Sequence, residues 1–97
     1  MDAELFDGAE YDVADGVSVE IVIWLVPAPL KGSEHRYKYR LALIADDICV
    51  LRYDNEAGKG DHRHLGSRQF PYDFRGPDDL AIDFWKDVEK WLKQNGR

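Results

Sequence analysis

The chain has 97 residues and a formal net charge of −6, from 19 acidic and 13 basic side chains. Its length predicts one domain spanning residues 1–97. The acidic balance argues against strong non-specific binding to nucleic acids, and the single cysteine, Cys49, excludes an internal disulfide and is typical of a reducing compartment.

The N-terminal quarter of the chain predicts two strands joined by a hairpin turn. Residues 3–13 are weakly strand-like, and Ala14-Asp15-Gly16 is a turn sequence. Residues 17–26 alternate strictly, and the end of this strand is apolar on both faces because Val22 and Trp24 lie opposite the main apolar row. That pattern favours a central strand with one face under a helix or a partner.

The middle of the chain predicts two further strands, over residues 36–45 and 48–54, with a tight turn at Asp46-Asp47. Residues 55–61 read as a polar loop containing glycine. Residues 62–69 predict one more short strand, and residues 70–72 an extended linker. Cys49 lies in an apolar strand and is expected to be a buried, inert thiol.

The last element is an amphipathic helix. It begins at Pro77, a residue favoured at the first helical position, and Asp78 and Asp79 suit its positive N-terminal end. Apolar residues then recur at spacings of three and four, and Asn95-Gly96 is a stop signal. The chain therefore predicts an α+β fold: an antiparallel meander of four to five strands with one C-terminal helix packed on one face.

Residues 52–64 carry the densest group of ionisable side chains. Residues 1–30 hold seven acids and no lysine or arginine, whereas residues 31–75 hold nine basic residues and all three histidines. His62 and His64 are two residues apart, so in an extended backbone both imidazoles project from the same face, with Asp61 and Arg63 on the other. Such clusters indicate proton-transfer or phosphate chemistry.

Cleavage of RNA through its 2′-hydroxyl needs a base, an acid and a cation near the phosphate. His62 and His64 are candidates for the base and the acid in either order, since an unperturbed imidazole titrates near pH 6.5. The candidate catalytic residues are His62, His64, Asp61 and Lys59. The candidate substrate-binding residues are Arg40, Arg52, Tyr53, Asp54, Asn55 and Arg63. Among these, Asp54 and Asp61 are expected to orient the imidazoles.

Three other readings of this cluster stay open. Two histidines and a carboxylate are sufficient for a metal-dependent hydrolase, although Arg63 between them disfavours a cation and no cofactor or metal is expected. The cluster is also compatible with an ordinary charged loop. The third reading is a non-catalytic interaction module whose acidic N-terminal hairpin docks on a basic partner.

Taken in order, residues 19–24, 37–41, 52–56 and 58–64 resemble the TumE-like family of small bacterial toxins, and the likeness extends into the helix at Phe84-Trp85. The resemblance implies a toxin–antitoxin module, in which a co-encoded antitoxin, typically a helix-turn-helix protein, neutralises the toxin. The family's target is not implied, so ribonuclease action without a metal is an inference from the residues and from the many small toxins that cut RNA.

These features set the expected location and partners. The N-terminus lacks the pattern of a signal peptide, and the longest apolar run, residues 21–29, is about half of a membrane span. We therefore expect a cytoplasmic protein without membrane contact, with an antitoxin and RNA as partners. The aromatic content is also suited to an interface, so a homodimer is an open alternative.

Overall fold

The computed structural model describes residues 3–97, which form a six-stranded antiparallel sheet and one helix. Each strand pairs with the next one along the chain, so the sheet is a meander. The elements are β1 (Glu4–Ala14), β2 (Val17–Leu25), β3 (Tyr37–Ala45), β4 (Ile48–Glu56), β5 (Gly60–Leu65), β6 (Arg68–Pro71) and α1 (Pro77–Gln94). The predicted α+β class, meander and C-terminal helix are confirmed, whereas the predicted count of four to five strands is wrong.

The miscount arises in the second half of the sheet. Strand β4 pairs through Glu56, and β5 and β6 are separate strands where the sequence predicted one short strand and a linker. On β5, the side chains that face the helix include Asp61 and Arg63, which bind polar partners. Without apolar alternation, periodicity does not reveal these strands.

The core lies between the sheet and α1. Alternate residues of β2, from Val17 to Ile23, are between 0% and 6% exposed, and they face the helix. Leu80, Phe84 and Val88 recur every four residues on α1, and all three are buried against the sheet. The helix begins at Pro77, as predicted, because proline needs no hydrogen-bond acceptor at that position.

Polar contacts fix α1 in its position over the sheet. Tyr53 on β4 and Arg63 on β5 both donate hydrogen bonds to Asp87 Oδ2. One turn earlier, Asp83 Oδ2 accepts a hydrogen bond of 2.6 Å from the hydroxyl of Tyr72. Burial and the hydrogen bond to Asp87 raise the pKa of Tyr53, and Asp87 also raises the pKa of Arg63.

The other face of the sheet, here called the open face, is not covered by α1. Cys49 points to this face beside Ile44 and is exposed, so the prediction of a buried thiol is wrong. Val22 and Trp24 lie on the same face and are 38% and 37% exposed. Within residues 3–97, no helix has the length and apolar character needed to span a bilayer.

The raised pKa of Tyr53 predicts a loss of stability at alkaline pH. An unfolded tyrosine ionises near pH 10, whereas folded Tyr53 stays neutral there, so its contribution is complete below about pH 10 and falls above it. In urea unfolding between pH 8 and 11, the free energy of unfolding of Tyr53→Phe should fall less steeply than that of wild type above pH 10. The expected difference is about 1.4 kcal/mol per pH unit.

The exposed Tyr11 provides the matched control, since Tyr11→Phe removes a phenol from the surface. The free energy of unfolding of Tyr11→Phe should fall with pH as steeply as that of wild type. Equal slopes for Tyr53→Phe and wild type above pH 10 would contradict the buried tyrosine–carboxylate contact.

Candidate functional site

Strand register brings most of the predicted cluster together on the open face. Arg40 pairs with Asp54, and Asp54 pairs with His62 across the next strand. One step along, Arg52 pairs with His64. Directly opposed residues on neighbouring strands point to the same face of a sheet, so these side chains form two adjacent rows.

Both imidazoles line one small depression, here called the histidine cleft. Its volume is about 50 Å³, and the ring centroids of His62 and His64 are 6.4 Å apart. The residues that line it are Arg52, Asp54, Glu56, Lys59, His62, His64 and Gln69. The cleft therefore combines two imidazoles, two cations and carboxylates within reach of solvent.

His64 has a partner for each of its protonation states. Its Nε2 lies 3.2 Å from Arg52 Nη2, a donor, and 3.3 Å from Asp54 Oδ1, an acceptor. A neutral ring with an unprotonated Nε2 accepts from Arg52, whereas a protonated Nε2 donates to Asp54. This arrangement suits a group that gains and loses a proton.

His62 is oriented by the backbone at the start of its own strand. Its Nδ1 lies 3.2 Å from the carbonyl oxygen of Gly60, so Nδ1 carries the proton and the neutral ring keeps its lone pair on Nε2. Gly60 has a φ of 75° and packs against Gly32, where an added Cβ would lie 2.9 Å from Gly60 N. Only glycine allows the loop before β3 to support this turn so closely.

Each cation of the site lies beside a carboxylate. Arg52 Nε lies 2.9 Å from Asp54 Oδ2 as an ion pair, although its N–H does not point along a hydrogen bond. Lys59 and Glu56 form an exposed ion pair of 3.2 Å at the rim. Exposed pairs of this kind contribute little free energy, so Lys59 is free to turn towards an incoming anion.

Asp61 lies on the helix side of the sheet, away from His62 and His64. Its carboxylate accepts hydrogen bonds from Ser33 Oγ at 2.7 Å, His35 Nε2 at 2.6 Å and the hydroxyl of Tyr39 at 2.7 Å. The expected orientation of the imidazoles by Asp61 is therefore wrong, because neighbouring residues on a strand point to opposite faces. Asp54 contacts His64, whereas Asp61 anchors the loop before β3.

Three more of the predicted residues also serve the helix side. Tyr53 and Arg63 bind Asp87 on α1. The buried side chain of Asn55 donates to the carbonyl of Tyr37 at 2.7 Å and accepts from the backbone N–H of Tyr39 at 2.9 Å. These residues position the strands and do not reach the histidine cleft.

Sequence reasoning missed several members of these two networks. Gln69 lies opposite His64 on β6, whereas the sequence predicts one strand over residues 62–69 and not two paired strands. Glu56 was assigned to a loop, although it ends β4 and lines the cleft. His35 lies outside the cluster at residues 52–64, yet it binds Asp61 and stacks on Phe74 with ring centroids 3.8 Å apart. The antiparallel pairing of β4 with β5 sets Glu56 opposite Gly60, two residues from His62, and so brings Glu56 close to the histidines.

Metal binding has no preformed ligand set in the described part of the chain. Among residues 3–97, no three or more His, Cys, Asp or Glu side chains are grouped closely enough to hold a metal ion. Arg52 lies against both Asp54 and His64, where a metal would have to bind.

A protein-family model matches most of the chain. The family model described as Toxin TumE matches residues 3–92. No curated protein and no solved structure matches the chain. The matched segment includes the whole sheet, both imidazoles of the cleft and most of α1.

The position of Asp61 predicts a structural phenotype for its substitution. In Asp61→Asn, an amide nitrogen replaces one of the two carboxylate oxygens that accept hydrogen bonds from Ser33, His35 and Tyr39. At least one of these three donors then loses its acceptor. The free energy of unfolding should fall by about 1–3 kcal/mol in urea denaturation. Asp12→Asn, at an exposed position of β1, should change it by less than about 0.5 kcal/mol. An Asp61→Asn protein as stable as wild type would show that this network is not needed for the fold.

Proposed function

The chain belongs to the TumE toxin family, and from this premise we propose that it is a toxin that cleaves RNA without a metal ion, using His62 and His64 as the proton-transfer groups. The observation that carries the proposal is the histidine cleft, which holds both imidazoles beside Arg52 and Lys59. Ribonuclease chemistry needs these groups at one phosphodiester, and the cleft supplies them on the uncovered face of the sheet.

The hydrogen bonds favour one order of roles. His62 keeps Nε2 unprotonated while Nδ1 donates to Gly60, so it is the base that takes the proton from the 2′-hydroxyl. The 2′-oxygen then bonds to phosphorus, and the bond from phosphorus to the 5′-oxygen breaks. His64, protonated and paired with Asp54, gives its Nδ1 proton to that leaving oxygen. The products are a 2′,3′-cyclic phosphate and a 5′-hydroxyl.

The cations stabilise the charge that develops on phosphorus. Arg52 carries a permanent charge and lies at the cleft, and Lys59 reaches it from the turn between β4 and β5. Arg40 lies one strand away, opposite Asp54, and it contacts a neighbouring phosphate in the proposed complex. Interactions of this type act most strongly when the donors are already in place before reaction.

A partner protein and a cytoplasmic site of action belong to the same proposal. A toxin of this kind is kept inactive by an antitoxin, and RNA as target places its action in the cytoplasm. Strand β1, at the edge of the sheet, is the surface best suited to such a partner. Its side chains Leu5 and Phe6 are each more than half exposed, and Asp7, Glu10 and Asp12 make it acidic.

The same edge strand supports a second candidate function, a non-catalytic interaction module. Edge strands leave backbone donors and acceptors unpaired, and a basic partner strand would complete the sheet and neutralise the charge. Growth inhibition that survives loss of both cleft histidines would favour this function over RNA cleavage.

Substitution of the cleft histidines tests the catalytic proposal. His62→Gln and His64→Gln should each lower the rate of RNA cleavage by about 100-fold or more, and both should abolish growth inhibition. Each variant should keep wild-type thermal stability, because both imidazoles are partly exposed. Lys86→Ala, which removes an exposed charge from α1, is the control and should keep full activity. A fully toxic double histidine variant would contradict the proposal.

The order of the two roles has its own test. A substrate with sulfur in place of the 5′-oxygen at the cleavage site needs no acid, because a thiolate leaves far more readily than an alkoxide. His64→Gln should regain most of its activity on this substrate, and His62→Gln should not. Rescue of His62→Gln alone would reverse the assignment.

A further inference from the structure

The open face exposes an apolar patch that the proposed chemistry does not use. Strand β2 is apolar on both sides near its end, but α1 covers only one of them. Trp24 is 37% exposed and Val22 is 38% exposed on the uncovered side. Trp85 and Trp91 on α1 pack against the core. Packing against that core does not account for the ring of Trp24, because Trp24 lies on the open face.

Trp24 lines a second, wider depression, here called the indole cleft. Its volume is about 490 Å³, within the range of roughly 300–1,000 Å³ that small organic ligands occupy. The side chains that face it are those of Val22, Trp24, Lys38, Arg40, Asp54 and Glu56. Asp54 and Glu56 also line the histidine cleft, so the two clefts are neighbours on the open face.

The chemistry of the indole cleft fits an unpaired nucleobase and its phosphates. Lys38 pairs directly with Trp24, and Arg40 pairs with Val22, so each apolar residue has a cation beside it. Indole surfaces stack on bases, and lysine and arginine follow the phosphates of a single strand. The carboxylates of Asp54 and Glu56 are acceptors for the amino groups of a base.

We propose that Trp24 forms the floor of a base-binding subsite, on which an unpaired base of single-stranded RNA stacks while Lys38 and Arg40 contact the adjoining phosphates. This inference rests on the proposed ribonuclease function and names its substrate as an unpaired RNA strand longer than the cleaved dinucleotide.

The spacing of the strands places this base away from the bond that is cut. Trp24 lies on β2 and His62 on β5, three strand spacings apart, or roughly 14 Å at about 4.8 Å for each spacing. The stacked base therefore belongs to a nucleotide that flanks the cleaved bond. Recognition at this distance aligns the strand across the sheet and directs the scissile phosphate to the histidines.

The ion pair of Arg40 does not block the subsite. Arg40 Nη1 lies 3.1 Å from Glu20 Oε2, and the two side chains are 46% and 39% exposed. An exposed pair of this kind is weak. Arg40 can exchange it for a charge-assisted hydrogen bond to phosphate, which is stronger.

Binding of RNA that cannot be cleaved tests the subsite. The probe is a fluorescently labelled single-stranded 2′-O-methyl oligonucleotide, which lacks the attacking hydroxyl, and its partner is an abasic oligonucleotide of equal length. Wild type should bind the first more tightly than the second. Trp24→Leu should weaken binding of the base-containing strand by about tenfold or more and leave binding of the abasic strand unchanged.

Two variants control for folding and for general loss of aromatic surface. Trp24→Phe keeps a stacking ring and should retain most of the affinity. Tyr11→Leu removes a half-exposed ring on the helix side of β1 and should bind both oligonucleotides as wild type does. Circular dichroism verifies that each variant is folded.

The outcomes separate this inference from the proposed function. Binding that depends on Trp24, in a protein that does not cleave RNA, would support the subsite and overturn the ribonuclease. Cleavage that depends on His62 and His64, with Trp24→Leu binding the base-containing strand as wild type does, would overturn the subsite alone. Failure of wild type to bind either oligonucleotide, or equal binding of both, would overturn the subsite.

Discussion

The pairing of β4 with β5 determines which side chains form the histidine cleft. Side chains alternate along each strand, so a single register sends His62, His64, Arg52 and Asp54 to the open face. The same register sends Tyr53, Asn55, Asp61 and Arg63 to the helix side. If β5 slipped by one residue, its side chains would change faces, so His62 and His64 would point under α1 and Asp61 and Arg63 would point to the open face.

Polar contacts on the helix side hold that register. Asp61 gathers three hydrogen bonds from the loop before β3 and from β3 itself, and Asp87 on α1 joins Tyr53 to Arg63. Buried donors and acceptors are costly to leave unpaired, so a shifted register would forfeit these bonds together. The network under the helix therefore supports the positions of the cleft histidines on the opposite face, although it does not touch them.

The sequence predicts the fold wherever apolar alternation or helical spacing is strong. Strand β2, strand β3 and α1 follow from that pattern. The common face of the two cleft histidines follows instead from their spacing of two residues in an extended backbone. Strands β5 and β6 do not, because Asp61 and Arg63 replace apolar residues on the buried side of β5. Among the site residues, charge alone does not distinguish a structural carboxylate such as Asp61 from one that contacts an imidazole, such as Asp54. That distinction requires the strand register and the position of His35, which lies far away in the chain.

The acidic surface is compatible with the proposed RNA cleavage because the charges are separated in space. The acids of β1 lie at one edge of the sheet, whereas the histidine cleft lies three and four strands away, beside Arg52 and Lys59. One edge is suited to a basic protein partner, and the other region to a phosphodiester. A toxin that must also bind an inhibitor has use for both surfaces.

In the proposed reaction, the histidine pair cuts RNA through the 2′-hydroxyl. The most direct measurement is the chemical identity of the ends produced when purified protein acts on a defined single-stranded RNA in the presence of EDTA. We expect the protein to produce 2′,3′-cyclic phosphate and 5′-hydroxyl ends, and to leave the RNA uncut where the cleaved position carries a 2′-deoxyribose. Fragments that end in a 3′-hydroxyl and a 5′-phosphate, or intact RNA at protein levels that arrest growth, would contradict it.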